Sequence, residues 1–200
     1  MLDSLLTKPG SGSATAFDRI AHGLIRLGVT PNGLSYTALA FGLLGALLFY
    51  VGHGGWALLA LVASGLCDAI DGRVARLGAG ATPWGGVLDL TCDRVVEAAV
   101  LLGIALPHPE WHLPALVLAC TWYVNLCVFL AVGAASEKVG DKLIVYPPGL
   151  LERTESLLFA LVVVLAPRYA PVAGYVYAAL ELYTAAQRLR YGRRALRSVQ

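Results

Sequence analysis

Residues 68–93 read DAIDGRVARLGAGATPWGGVLDLTCD, and the residues flanking this run are almost entirely apolar. Four aspartates, Asp68, Asp71, Asp89 and Asp93, therefore fall where the surrounding sequence predicts membrane helices. A carboxylate at the centre of such a helix costs about 2.5–3.5 kcal/mol on insertion scales, and intramembrane ionisable groups are functional candidates by default. Asp68 and Asp71 are spaced i,i+3 and Asp89 and Asp93 i,i+4, so each pair shares one face of a helix. Between the pairs, LGAGATPWGG carries the Gly and Pro residues that end helices and turn the chain. Two antiparallel helices joined there bring both pairs together. Four carboxylates in one cavity repel. Hard divalent cations relieve that repulsion, and an oxygen-only ligand set favours Mg²⁺, Mn²⁺ or Ca²⁺ over zinc. Two such ions a few ångströms apart form a clamp suited to phosphoryl chemistry.

The rest of the run fits a phosphate-bearing substrate. Gly72 and Ala75 follow the first pair and leave room for a ligand to approach the backbone. Arg76 lies eight residues after Asp68, about two turns along the same face, where it can hold a phosphate by paired hydrogen bonds. Arg73 points off that face.

The spacing Asp68-x2-Asp71-Gly72-x2-Ala75-Arg76-x8-Gly85-x3-Asp89-x3-Asp93 resembles, at all eight fixed positions, the signature of the CDP-alcohol phosphotransferase family. A polar helix-packing network in an unrelated membrane protein is the bland alternative, and such networks rarely need four acids.

Composition points the same way. The chain has 200 residues, 58% of them hydrophobic and 14% charged, with a mean hydropathy of +0.68. The usual charged fraction is about 25%, so a single polytopic, all-α membrane domain spanning 1–200 is expected. The N-terminal MLDSLLTKPGSGSAT lacks a long apolar core and reads as a short cytosolic tail. Residues 15–29 place Phe17, Ile20, Leu24, Ile25 and Leu27 among Asp18, Arg19, His22 and Arg26. That is too polar to span and predicts an amphipathic interfacial helix, so 1–30 form tail plus surface helix. Thr30-Pro31-Asn32 then breaks the pattern. Six transmembrane helices follow in a core of 31–189, at about 33–51, 55–77, 85–106, 113–134, 150–166 and 170–189, each near the ~20 residues a bilayer requires. Ala38/Gly42/Ala46 and Gly174/Ala178 repeat at four-residue spacing, as close helix packing in lipid favours. Residues 190–200 are a basic cytosolic tail.

The cations orient the chain. With the N-terminus inside, the exterior loops hold only Arg168 of the fifteen Lys and Arg residues. This positive-inside pattern puts both termini and the acidic run at the cytoplasmic side. The tail, with Arg188, Arg190, Arg193, Arg194 and Arg197, suits anionic lipid headgroups. It lacks the aromatic or groove-reading pattern of a nucleic-acid binder. Cys67, Cys92, Cys120 and Cys127 form no CxxC pair and read as buried free thiols. Trp56, Trp84, Trp111 and Trp122 read for the most part as interface anchors. The loop run His108-Pro-Glu-Trp-His112 only superficially resembles a metal cluster.

The resemblance implies a reaction. The donor is a CDP-linked lipid such as CDP-diacylglycerol. A small alcohol or phospho-alcohol attacks the lipid-side phosphorus, and CMP leaves. The family uses two divalent metal ions, Mg²⁺ or Mn²⁺. Asp68, Asp71 and Asp89 match the main ligands, and Asp93 matches the general base and touches a metal. Gly72, Ala75, Arg76 and Gly85 match contacts to the CDP moiety, as does Asn32 in the Thr30-Pro31-Asn32 element. Homodimerisation is a family expectation.

For the acceptor, Leu88 to Arg94 resembles phosphatidylinositol and phosphatidylinositol-phosphate synthases, and Leu151-Glu152-Arg153-Thr154-Glu155 resembles their Arg-bearing, acceptor-binding element. The basic residues expected before an Ala-Glu after helix four come later here, at Lys138 and Lys142. Inositol 1-phosphate and inositol therefore both stay open, with glycerol 3-phosphate as rival. Arg153, Lys138 and Lys142 are the candidate acceptor contacts, against simple positive-inside bias. A divalent-cation transporter is disfavoured by the intact Gly-Ala-Arg spacing, and an inactive scaffold by retention of all four acids.

Overall fold

The structure is a computed structural model that describes residues 12–78, 80, 82–137 and 153–197. Among these residues it is all-helical. Seven α-helices occur in the order α1 (Gly12–Arg26), α2 (Pro31–Tyr50), α3 (Gly54–Leu77), α4 (Pro83–Ala105), α5 (His112–Glu137), α6 (Arg153–Leu165) and α7 (Ala170–Arg197). Short 3₁₀ turns at Pro109–Trp111 and Pro167–Tyr169 precede α5 and α7. The helices fall into two compact units, α1–α4 through Pro109 and α5–α7 from Glu110.

The helix ends follow local chemistry. Thr30 and Thr82 are N-caps, and their hydroxyls accept from Gly33 N at 3.2 Å and Gly85 N at 3.0 Å. Pro31 and Pro83 follow at the first helical position, where a missing N–H costs nothing. The same Thr-Pro-x-Gly run thus opens α2 and α4. α1 and α2 end alike: Gly28 and Gly52 adopt φ of +76° and +82°, while Val29 N donates to Leu24 O and His53 N to Leu48 O. Only glycine takes that left-handed C-terminal position without strain.

In the first unit α2 packs on both α3 and α4, and α1 lies on α3. Small residues let the backbones meet. Ala38, Gly42, Gly45 and Ala46 of α2 are buried. A Cβ on Gly42 would strike Val96 of α4, and one on Gly45 would meet Leu61 of α3 at 3.0 Å. Gly103 of α4 sits directly on the Ala46 backbone. Ser64 donates to Ala38 O at 2.8 Å, tying α3 to α2 by a bond the apolar surroundings favour. α1 buries Ala21, Leu24 and Ile25 against Val74, Leu34 and Ile70. Ile20 and Leu27 are exposed, because the contact face of α1 is centred on Ala21.

In the second unit α7 packs on α5 and, less extensively, on α6. Gly174 meets Pro114, and Gly192 meets Val132. Tyr177 of α7 stands edge-on to Trp122 at 6.1 Å and shares a 2.8 Å hydrogen bond with Ser156 of α6. α7 continues through Gly192 to Arg197, beyond the expected end at 189.

Among the described residues, two helical stretches, Pro31–Tyr50 and Pro109–Ala135, are long and apolar enough to cross a membrane. α3 and α4 each carry four charged residues, Asp68, Asp71, Arg73 and Arg76 in one and Asp89, Asp93, Arg94 and Glu97 in the other. Two expectations are corrected. Cys120 and Cys127 are exposed rather than buried, since the apolar segment bearing them turns that side outward. Trp111 is buried, unlike the exposed Trp56 and Trp84, because the 3₁₀ turn folds it inward.

Gly103→Ala is expected to lower stability by about 1–3 kcal/mol, the usual cost of overpacking. Gly65, where an added Cβ would meet nothing within 4 Å, should accept alanine with no loss. Thermal unfolding of the two variants in detergent checks this contrast.

Candidate active site

The acidic site belongs to the first unit. α3 presents Asp68 and Asp71 near its C-terminal end, and α4 presents Asp89 two turns into the helix. The chain between them turns through Gly78, which ends α3, and Thr82-Pro83, which starts α4. One carboxylate oxygen from each of Asp68, Asp71 and Asp89 lies within 4.8 Å of the others. Asp71 is buried and the other two are half-buried. Hard cations bind oxygen at about 2.0–2.6 Å, so ligands of one ion lie within roughly 5 Å of each other. The trio meets that condition with the right donor chemistry, and Mg²⁺, Mn²⁺ or Ca²⁺ fits it.

Asp93 sits one turn further along α4, on the face that carries Asp89 and close enough to interact with it electrostatically. It lies outside the trio of converging oxygens. Next to it, Arg94 pairs with Glu97 at 2.6 Å.

The residues expected to meet the nucleotide lie on α3, α4 and the start of α2. Arg76 lays its guanidinium over Gly72, where an added Cβ would come within 3.3 Å of Nη1. The two arginines of this turn diverge as their spacing predicts: Arg76 is exposed, and Arg73 turns away into a buried position. Asn32 lies against Gly85, with Oδ1 3.6 Å from where a Cβ would stand. Residues 53 positions apart are thus neighbours because α2 and α4 start side by side. Ala75 is half-buried on α3. Of the acceptor candidates, Lys138 and Lys142 lie outside the described residues, and Arg153 is the first residue of α6.

Three features escaped the sequence. Ser35 of α2 donates its Oγ to Asp71 Oδ2 at 2.7 Å, in a fully buried contact. Its hydroxyl also lies 3.3 Å from Pro31 O, the local bond that any helical serine can make, so the sequence offered no reason to prefer the distant partner. Arg73 pairs with Asp18 of α1 at 2.5 Å. In the second unit, Arg188 donates to Asn125 Oδ1 at 2.6 Å and stacks on Phe129 at 5.0 Å. Asn125 Nδ2 donates in turn to Glu181, and both of these residues are buried. Arg188, grouped with the tail cations in the sequence, is part of a helix-packing network. The signal was present in the polar Asn125 and Glu181 of apolar segments, which must find partners there.

Residues 28–186 match the CDP-alcohol phosphatidyltransferase family, and the chain belongs to that family. It is 34% identical over 145 residues to the phosphatidylinositol phosphate synthase of Mycobacteroides abscessus, a match covering 71% of this chain and 64% of that protein. Two crystal structures of the Mycobacterium tuberculosis phosphatidylinositol phosphate synthase are similar in fold, each with a TM-score of 0.70 and 28% identity. The one with CDP-DAG bound matches over 88% of this chain and 92% of its own. The other, in complex with manganese and citrate, matches over 88% of both chains.

Ser35→Ala is expected to weaken Mn²⁺ binding about 10-fold, the lower end of the usual effect of removing a hydrogen bond to a metal ligand. Titration of Mn²⁺ followed by electron paramagnetic resonance checks it.

Proposed function

We propose that this chain is an integral membrane phosphotransferase that moves a phosphatidyl group from CDP-diacylglycerol to an inositol acceptor, inositol 1-phosphate first, and releases CMP. The convergence of Asp68, Asp71 and Asp89 on one point carries this reading. Family membership and the likeness to a phosphatidylinositol phosphate synthase with CDP-DAG bound support the substrate class.

In this reading Asp68, Asp71 and Asp89 hold two divalent ions, Mg²⁺ or Mn²⁺, with Asp93 at their edge. The likeness to a manganese-bound relative supports that assignment. The ions, when bound, neutralise the charge of the donor's diphosphate. Gly72 and Gly85 leave the backbone open to the nucleotide, and Arg76 and Asn32 flank that opening. Asp93 accepts the proton of the acceptor hydroxyl as its oxygen attacks the lipid-side phosphorus. The bond from that phosphorus to the oxygen bridging the diphosphate breaks, and the bridging oxygen leaves with CMP. Alignment of hydroxyl and phosphorus supplies much of the rate. Arg153, Lys138 and Lys142 bind the acceptor, with Arg153 the foremost of the three.

The whole of 1–200 acts as one domain with six membrane-crossing helices, α2 to α7. α1 lies at the interface, and the basic end of α7 meets the cytoplasmic surface. Exposed Leu47, Leu59, Leu102, Leu116, Leu158 and Val176 put apolar side chains on the outside of each of these helices in turn, as lipid contact requires. The distribution of cations supports a cytoplasmic site and cytoplasmic termini. A homodimer follows from family resemblance.

Asp93→Asn should cut CMP release at least 100-fold, at unchanged melting temperature, in an assay with labelled CDP-diacylglycerol and Mn²⁺. Normal CMP formation with every acceptor tried would remove Asp93 as the base. Arg153→Ala should raise KM for inositol 1-phosphate about 10-fold while leaving KM for the donor unchanged. An unchanged acceptor KM counts against that residue.

A further inference from the structure

The turn of α3 that carries Asp71 is gripped from two sides. On one side Ser35 of α2 holds the carboxylate itself at 2.7 Å. On the other, Arg73, two residues on, is drawn into α1. Its Nη1 meets Asp18 Oδ1 at 2.5 Å, its guanidinium lies over the Phe17 ring at 5.4 Å, and its side chain is only 9% exposed. Beneath this pair Ala21 of α1 and Val74 of α3 are almost wholly buried against each other's helix.

A guanidinium this buried needs anionic partners, and Asp18, 42% exposed, supplies one from α1. The Asp18–Arg73 pair therefore fixes the rotation of α3 about its own axis at this turn, as well as adding to the contact between helices. That rotation sets where the Asp68 and Asp71 carboxylates point relative to Asp89, which comes from a different helix. A metal or catalytic constellation tolerates misalignment of only about 10–20°. We propose that Asp18 is a positioning residue for the acidic site: acting through Arg73, the N-terminal surface helix holds Asp68 and Asp71 in register with Asp89. This rests on the phosphotransferase reading above for its effect on turnover, whereas its effect on cation binding stands without that reading.

The test uses the full chain reconstituted in lipid vesicles, with Mn²⁺ alone as the probe in one arm and CMP release from CDP-diacylglycerol in the other. Asp18→Asn removes the charge with little change of shape, and Asp18→Glu keeps it. Asp18→Asn is expected to weaken Mn²⁺ binding about 10-fold, the scale seen when a group supporting metal ligands is lost. It should lower kcat by a similar factor, with KM for the donor changed less than threefold. Asp18→Glu should restore both to within about threefold of the native chain. Mn²⁺ affinity of Asp18→Asn within threefold of the native value, even at a reduced melting temperature, overturns the proposal by making the pair merely stabilising. Failure of Asp18→Glu to rescue overturns it as well. If the native chain binds Mn²⁺ but forms no CMP, the phosphotransferase reading falls, and the Mn²⁺ arm still decides the role of Asp18.

Discussion

Like charges held close together dominate this molecule. Charged carboxylate oxygens within 4.8 Å of one another repel by roughly 3 kcal/mol or more per pair at an effective dielectric of about 20. Asp68, Asp71 and Asp89 nevertheless share one small volume in a unit that is otherwise largely apolar. The scaffold that holds them there is made of small residues. Gly42, Gly45 and Ala46 of α2 and Gly103 of α4 bring three helices to backbone contact. That close packing fixes where α3 and α4 end and start, and so where their acids point. A polyoxygen site for a hard cation is the chemical counterpart of this arrangement, because the cation removes the repulsion the packing imposes.

Around the acids, neighbouring residues on one helix have opposite tasks because about 100° of helical rotation separates each from the next. Asp71 faces Ser35, Gly72 lies under Arg76, Arg73 turns to Asp18, and Val74 enters the core beside Ala21. Four successive positions thus serve the acidic cluster, the contact with Arg76, an ion pair and a hydrophobic contact. The second unit solves a related problem differently. There Arg188, Asn125 and Glu181 satisfy one another between α5 and α7, so that polar groups inside an apolar pair of helices have partners.

Much of this was legible in the chain. The all-helical class followed from long apolar runs punctuated by Gly and Pro. The helix starts at Thr30-Pro31 and Thr82-Pro83 follow from capping rules that act within four residues. The Asp68/Asp71 and Asp89/Asp93 spacings gave shared faces, and the close packing at Ala38, Gly42 and Ala46 was readable from their four-residue repeat. Cys120, Cys127 and Trp111 went the other way, since an apolar run does not reveal which of its sides meets another helix.

Sequence by itself determined which residues share a helix face, where helices begin, and that four acids must answer to something positive. These are consequences of backbone periodicity and local hydrogen bonding, which operate over a few residues. Tertiary structure alone decided that Ser35 reaches Asp71 as well as its own helix, that Asn32 touches Gly85, and that Asp18 reaches Arg73 across 55 positions. Each of those contacts joins separate helices, and their partners are set by how the helices pack, which local spacing along the chain does not encode.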